Sequence, residues 1–133
     1  MNPIINTLNG YQNAMKQFLR YDGMPPDADK NHIDVYHAAF GLASEVGEVS
    51  DALKRDLAYG KTYDNLNLME EAGDILFYTA LLCQGAGYTL QQAAEANIAK
   101  LLKRNAVKGN VESTEGRDLE GERAAMMLAA TGG

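Results

Sequence analysis

Leu66-Asn67-Leu68-Met69-Glu70-Glu71-Ala72-Gly73-Asp74-Ile75-Leu76-Phe77-Tyr78-Thr79-Ala80-Leu81-Leu82-Cys83-Gln84 runs without a proline between two polar turns. Its apolar residues leave almost no side of a helix polar, so this stretch is expected to be the most buried helix of the chain. Upstream, Val35, Ala39, Leu42, Val46, Val49 and Leu53 recur as one stripe and predict a helix over residues 32–58, with residues 59–65 as the turn between. Downstream, Gly85-Ala86-Gly87 ends the apolar helix. Thr89 followed by Gln92 resembles a capping box that opens a further helix to about Arg104, with Leu90, Ala94, Ile98 and Leu101 on its apolar face.

At the other end, Asn2 before Pro3 reads as an N-cap and first helical residue. Ile4, Leu8, Tyr11, Met15 and Phe18 then share one helical face, and residues 21–30 form a loop. No stretch alternates with period two over a strand's length. The expected fold is therefore all-α, a bundle of four main helices over residues 1–104. Residues 105–133 are expected to form an arm or loosely structured tail, with five acids between Glu112 and Glu122 and one short Ala/Met-rich segment, residues 124–130.

Composition narrows the function classes. The chain has 133 residues, 46% of them hydrophobic, enough for one globular domain. A net charge of −6 gives no general attraction for nucleic acid. A lone cysteine, Cys83, excludes a disulfide framework and a Cys-based zinc site, and points to a reducing, cytoplasmic setting. Neither a leader pattern nor a window of about 18 uninterrupted apolar residues occurs, so neither secretion nor a membrane partner is expected.

Two segments carry the same device. Glu45-Val46-Gly47-Glu48-Val49 and Glu71-Ala72-Gly73-Asp74-Ile75 each place two acids three residues apart, side by side on a helix. Like charges so placed repel unless a proton or cation sits between them, and a hard divalent ion such as Mg²⁺ or Mn²⁺ prefers oxygen ligands. Acid-x-x-acid spacing alone is common, as in Glu112-x-x-Glu115-x-x-Asp118, which reads as a solvated run. Context separates the helical pairs: Glu45 and Glu48 flank an apolar stripe, and Glu71 and Asp74 interrupt a helix with little polar surface. The glycine before the second acid of each pair suggests close backbone approach there. Di-iron bundles use Glu-x-x-His, and no glutamate stands three residues before His32 or His37. His37 is a candidate for touching substrate.

Positive charge is concentrated only in Lys100, Lys103, Arg104 and Lys108. Asn97, Lys100 and Arg104 share a helical face, whereas Lys103 and Lys108 suit a helix C-terminus. Beside four carboxylates on other helices, an Asn/Lys/Arg face fits a phosphorylated, metal-chelated ligand.

Taken in order, Glu45-x-x-Glu48, 22 intervening residues, Glu71-x-x-Asp74 and Asn97-x-x-Lys100-x-x-x-Arg104 resemble the MazG-type all-α nucleoside triphosphate pyrophosphohydrolases over about residues 35–105. The resemblance implies that Glu45, Glu48, Glu71 and Asp74 hold Mg²⁺ and that Lys100 and Arg104 hold phosphates. It further implies cleavage of a nucleoside triphosphate, in the first place a deoxynucleoside triphosphate, between the α and β phosphorus to monophosphate and pyrophosphate. Homodimers or homotetramers with sites near subunit contacts are also implied, and compact single-domain forms of the family, like this chain, also occur in bacteriophages. Glu48 is the candidate general base. Two alternatives remain at this point: a non-catalytic helical interaction protein whose acids are ion-paired across a dimer with Lys100 and Arg104 and whose acidic tail engages a partner, and a phosphoribosyl-ATP pyrophosphatase, which breaks the same bond.

Overall fold

Two aspartates set where the long helices begin. Asp29 accepts from the amides of Asn31 (3.0 Å) and His32 (3.2 Å), and Asp64 from the amide of Leu66 (2.9 Å). Each satisfies N–H groups that have no partner inside a helix. In the computed structural model, which describes residue 5 and residues 7–107 and 117–131, these caps open α2 (Lys30–Tyr59) and α3 (Asn65–Gly85). The other elements are α1 (Leu8–Met15), a single 3-10 turn (Lys16–Phe18), α4 (Leu90–Val107) and α5 (Leu119–Thr131). Among the described residues there is no strand, as an all-α fold requires, and no helix is long and apolar enough to cross a membrane. Their contacts group into two units, Met1–Thr89 and Leu90–Gly133.

In the first unit, Gly60 takes a left-handed conformation (φ 62°) that ends α2, and the short turn after it returns the chain as α3. The two helices are antiparallel neighbours. Asp34 meets Gln84, Gly41 lies under the Tyr78 ring, and Gly85 abuts the backbone of Asn31 and Val35. Small residues make this approach possible: Ala38, Gly41 and Ala52 are buried on α2, with Ala80 and Leu81 on α3. Helix α1 adds Gln12, whose buried amide donates to the carbonyls of Ala80 and Tyr88, each at 3.3 Å. The Tyr21 hydroxyl donates to both oxygens of Asp34 (2.8 and 3.0 Å), which ties the loop before α2 onto that helix.

Four expectations need correcting. The N-terminal helix begins at Leu8, capped by Thr7, and Phe18 is exposed because the chain tightens into the 3-10 turn before reaching it; Asn2, Pro3 and Ile4 lie outside the described residues. The face of α2 turned to α3 is the small-residue stripe through Ala38, Gly41, Glu45 and Ala52, while Ala39, Val46 and Leu53 are exposed. Close helix packing selects small side chains, and the larger apolar residues are left on the opposite side. Helix α3 buries Ala80 and Leu81 but leaves Leu66, Met69 and Leu76 exposed, since α1 and α2 cover only part of its circumference. Finally, a Cβ on Gly47 or Gly73 would meet nothing within 4 Å, so the close approach occurs at Gly41 and Gly85 instead.

The second unit is an antiparallel pair, α4 and α5. Gln92 Nε2 donates to the carbonyl of Ala130 (2.8 Å), Lys103 pairs with Asp118 (3.5 Å), and Asp118 caps α5 through the amide of Gly121 (2.9 Å). Helix α5 starts at Leu119, earlier than its Ala/Met-rich part suggests, because this cap supplies the N-terminal signal. Glu112, Glu115 and Lys108 fall outside the described residues.

A methyl group on Gly85 would sit 2.8 Å from the Asn31 carbonyl oxygen and 2.9 Å from the Val35 amide nitrogen. Backbone cannot swing aside, so Gly85→Ala should lower stability in urea unfolding by about 1–3 kcal/mol. An unchanged midpoint would mean that α2 and α3 are not in such close contact there.

Candidate active site

The antiparallel register brings Glu45 of α2 opposite Glu71 and Asp74 of α3. One carboxylate oxygen of each lies within 4.8 Å of the others. Glu45 and Glu71 are half-buried and Asp74 is exposed, so the cluster opens to solvent on one side. Asn67, one turn before Glu71, donates its amide to Glu71 Oε1 (3.0 Å) and fixes that carboxylate. Within the first unit, no described lysine, arginine or histidine forms an ion pair with any of the three.

The charge shows in the titration of Glu45. Loss of solvent pushes its carboxyl up from the ordinary value, and the charges of Asp74 and Glu71, a hydrogen bond with Glu71, and the charge of Glu48 push it the same way. A group of oxygen-only donors that resists full ionisation fits a hard divalent cation, which would relieve the repulsion. Glu48 is exposed and stands outside the convergent three, one turn further along α2.

Tyr11 and Asn67 were not legible as site residues. Tyr11 looks like part of an apolar face, yet its hydroxyl reaches the Gly73 carbonyl at 3.5 Å, and burial followed by the charge of Asp74 raises its pKa. Asn67 carries only the i, i+4 spacing to Glu71 as a signal. His37 is exposed, with its ring edge-on to Tyr78 at 5.6 Å.

Asn97, Lys100 and Arg104 lie on α4, in the second unit. Asn97 is exposed and Lys100 half-buried. Arg104 is engaged: Nε and Nη2 donate to the two oxygens of Glu122 at 3.3 and 3.0 Å. Arg117 clasps the same carboxylate at 3.1 and 2.6 Å, so two guanidiniums hold one acid that is only 3% exposed. The sequence did not suggest this lock, because Glu122 sits in a run of acids that reads as solvated.

The chain is thus an all-helical protein with a three-carboxylate centre suited to a divalent cation. Residues 37–107 match the MazG nucleotide pyrophosphohydrolase domain, a span that includes all four acids and Asn97, Lys100 and Arg104, and the chain belongs to that family. No curated protein and no solved structure matches the chain.

The double clasp makes a pH prediction. Hydrogen bonds from Arg117 and then Arg104 hold the Glu122 carboxyl down at about 2, against an ordinary 4.5. A carboxyl whose folded pKa lies below its unfolded one contributes stability that is complete above the unfolded value and is lost as pH falls through the folded one. Helix content followed by circular dichroism in mild urea should therefore decline between pH 4.5 and 2. A Glu122→Gln protein should be less stable at neutral pH and lack that part of the acid transition; an identical acid limb in both would remove Glu122 from the argument.

Proposed function

We propose that the protein is a Mg²⁺-dependent hydrolase that cleaves a nucleoside triphosphate, in the first place a deoxynucleoside triphosphate, between the α and β phosphates. The observation that carries this reading is the convergence of Glu45, Glu71 and Asp74 inside a MazG domain. These three acids hold the cation, with Mn²⁺ as a chemically similar substitute. A divalent ion there would supply charge neutralisation for the triphosphate and a polarised water for the attack. Glu48 takes the proton as the water oxygen bonds to the α-phosphorus. The bond from that phosphorus to its bridging oxygen breaks, and pyrophosphate leaves with the electron pair.

On α4, Asn97 and Lys100 hold phosphate oxygens. Arg104 can join them without releasing Glu122, because the bonds to Glu122 use Nε and Nη2 and leave Nη1 to donate. Tyr11 steadies α3 beside Asp74 through the Gly73 carbonyl. The rival reading, in which the acids are ion-paired with Lys100 and Arg104 across a dimer, expects neither Mg²⁺ binding nor turnover, and the substitutions below separate the two.

A second copy of the chain completes the reading. Val46, Leu53 and Leu57 (90% exposed) share one exposed apolar stripe of α2, and Phe40 (72% exposed) adds an exposed ring elsewhere on the same helix. Such a face marks an interaction surface, and a two-fold pairing of identical faces covers it most simply. Light scattering at micromolar concentration should give at least twice 14.4 kDa; a stable, active monomer would refute the pairing.

Activity is tested by two substitutions. Glu71→Ala should abolish release of pyrophosphate from nucleoside triphosphates and weaken Mg²⁺ binding in calorimetry, with an unchanged circular dichroism spectrum. Lys100→Ala should keep Mg²⁺ binding and lower kcat/KM by roughly 10- to 100-fold, the range for a charge-assisted hydrogen bond. A folded, fully active Glu71→Ala protein would sink the metal assignment.

A further inference from the structure

Residues 19–24 stand away from the first turns of α2 and leave a cavity of about 420 Å³, the size range of a small-ligand site. Tyr21, Met24, His32, Asp34, Tyr36 and His37 line it. Four of the six carry planar rings. His32 and Tyr36 are in mutual contact at 4.7 Å, and His37 is held edge-on against Tyr78.

Asp34 supplies the polar element. It is 2% exposed, yet its described partners are neutral. The Tyr21 hydroxyl is shared between its two oxygens, and Gln84 Nε2 donates to Oδ2 at 3.2 Å. A carboxylate offers about four lone-pair sites, so Oδ1, which receives only the shared tyrosine proton, retains capacity for another N–H donor. A buried anion with spare acceptor capacity, walled by rings, suits a flat heterocycle with an amino or ring N–H group on its edge.

Position along α2 points to the same occupant. Residues 37, 41, 44 and 48 step by four, three and four, so His37 and Glu48 lie on one stripe of the helix. His37 and Glu45 are separated by about 12 Å along the axis, comparable to the extent of a nucleoside triphosphate. We propose that this cavity is the nucleobase subsite: the base stacks on the rings of Tyr36 and His37 and gives an N–H to Asp34, while the phosphates extend along the length of α2 toward the carboxylates. The inference rests on the nucleotide reading above and adds the recognition element that reading lacks.

The test uses the full chain, a chelator in place of metal, and four deoxynucleosides that carry no phosphate. At least one nucleoside should bind in calorimetry or shift the amide resonances of residues 32–37, and Tyr36→Ala should weaken that binding at least about tenfold, as loss of a base-stacking ring does. Tyr36 is 54% exposed, so its substitution should leave the circular dichroism spectrum intact; His32→Ala serves as a second variant. Binding by none of the four, or binding indifferent to both substitutions, overturns the subsite. Since neither phosphate nor metal is present, that failure leaves the hydrolase reading standing, and nucleoside binding by a chain that hydrolyses no triphosphate would sink the hydrolase reading alone.

Discussion

Three carboxylates whose oxygens lie within 4.8 Å of one another push apart the two helices that carry them. The separation of α2 and α3 must therefore be set by something other than the site. Small residues do this on both flanks: Gly85 lies against the backbone of Asn31 and Val35, Gly41 lies under the Tyr78 ring, and Ala38, Ala52 and Ala80 are buried in the same unit. Apolar packing of this kind is non-directional and insensitive to charge, so it can hold the acids at a fixed spacing whether or not a cation is between them. The Asp34–Tyr21 and Asp34–Gln84 hydrogen bonds add a directional contact near the Gly85 end.

The second unit solves the opposite problem. Two arginines facing each other would repel, and one buried glutamate would be left uncompensated. Together, Arg104, Arg117 and Glu122 satisfy the acid fully and leave a surplus of positive charge on the α4–α5 pair. That surplus exists because the segment leading into α5 brings Arg117, and α5 itself Glu122, to Arg104. The C-terminal helix thus shapes the electrostatics of α4 and not only its packing.

The helices were legible in the sequence because their apolar periods run between polar, glycine-bearing turns, whereas the caps Asp29 and Asp64 that open α2 and α3, and the left-handed Gly60 that closes α2, emerge only from the structure. The acidic pairs were legible because a carboxylate inside a nearly apolar helix calls for a partner. Rotation of α2 about its axis was not legible. Both the Val46 and Leu53 side and the Ala38 and Gly41 side are apolar, and hydropathy does not reveal that closeness of approach, not hydrophobicity, decides which faces α3. Tyr11, Asn67, Asp34 and Glu122 escaped for a related reason: each acts through a partner distant in sequence or through a spacing shared by many surface pairs.

Glu45 joins these threads. Its carboxyl is raised by loss of solvent and by the neighbouring acids, so a proton and a divalent cation would compete for that position. A carboxyl whose folded pKa exceeds its unfolded value opposes folding at neutral pH, and this opposition fades as pH falls and the group is protonated in both states. A cation held by the three acids would reverse the balance, since it would favour the ionised cluster that only the folded chain assembles. The small-residue packing between α2 and α3 must then be strong enough to hold the uncompensated acids together at neutral pH. For that reason the glycines at positions 41 and 85 bear on the site as directly as the carboxylates do.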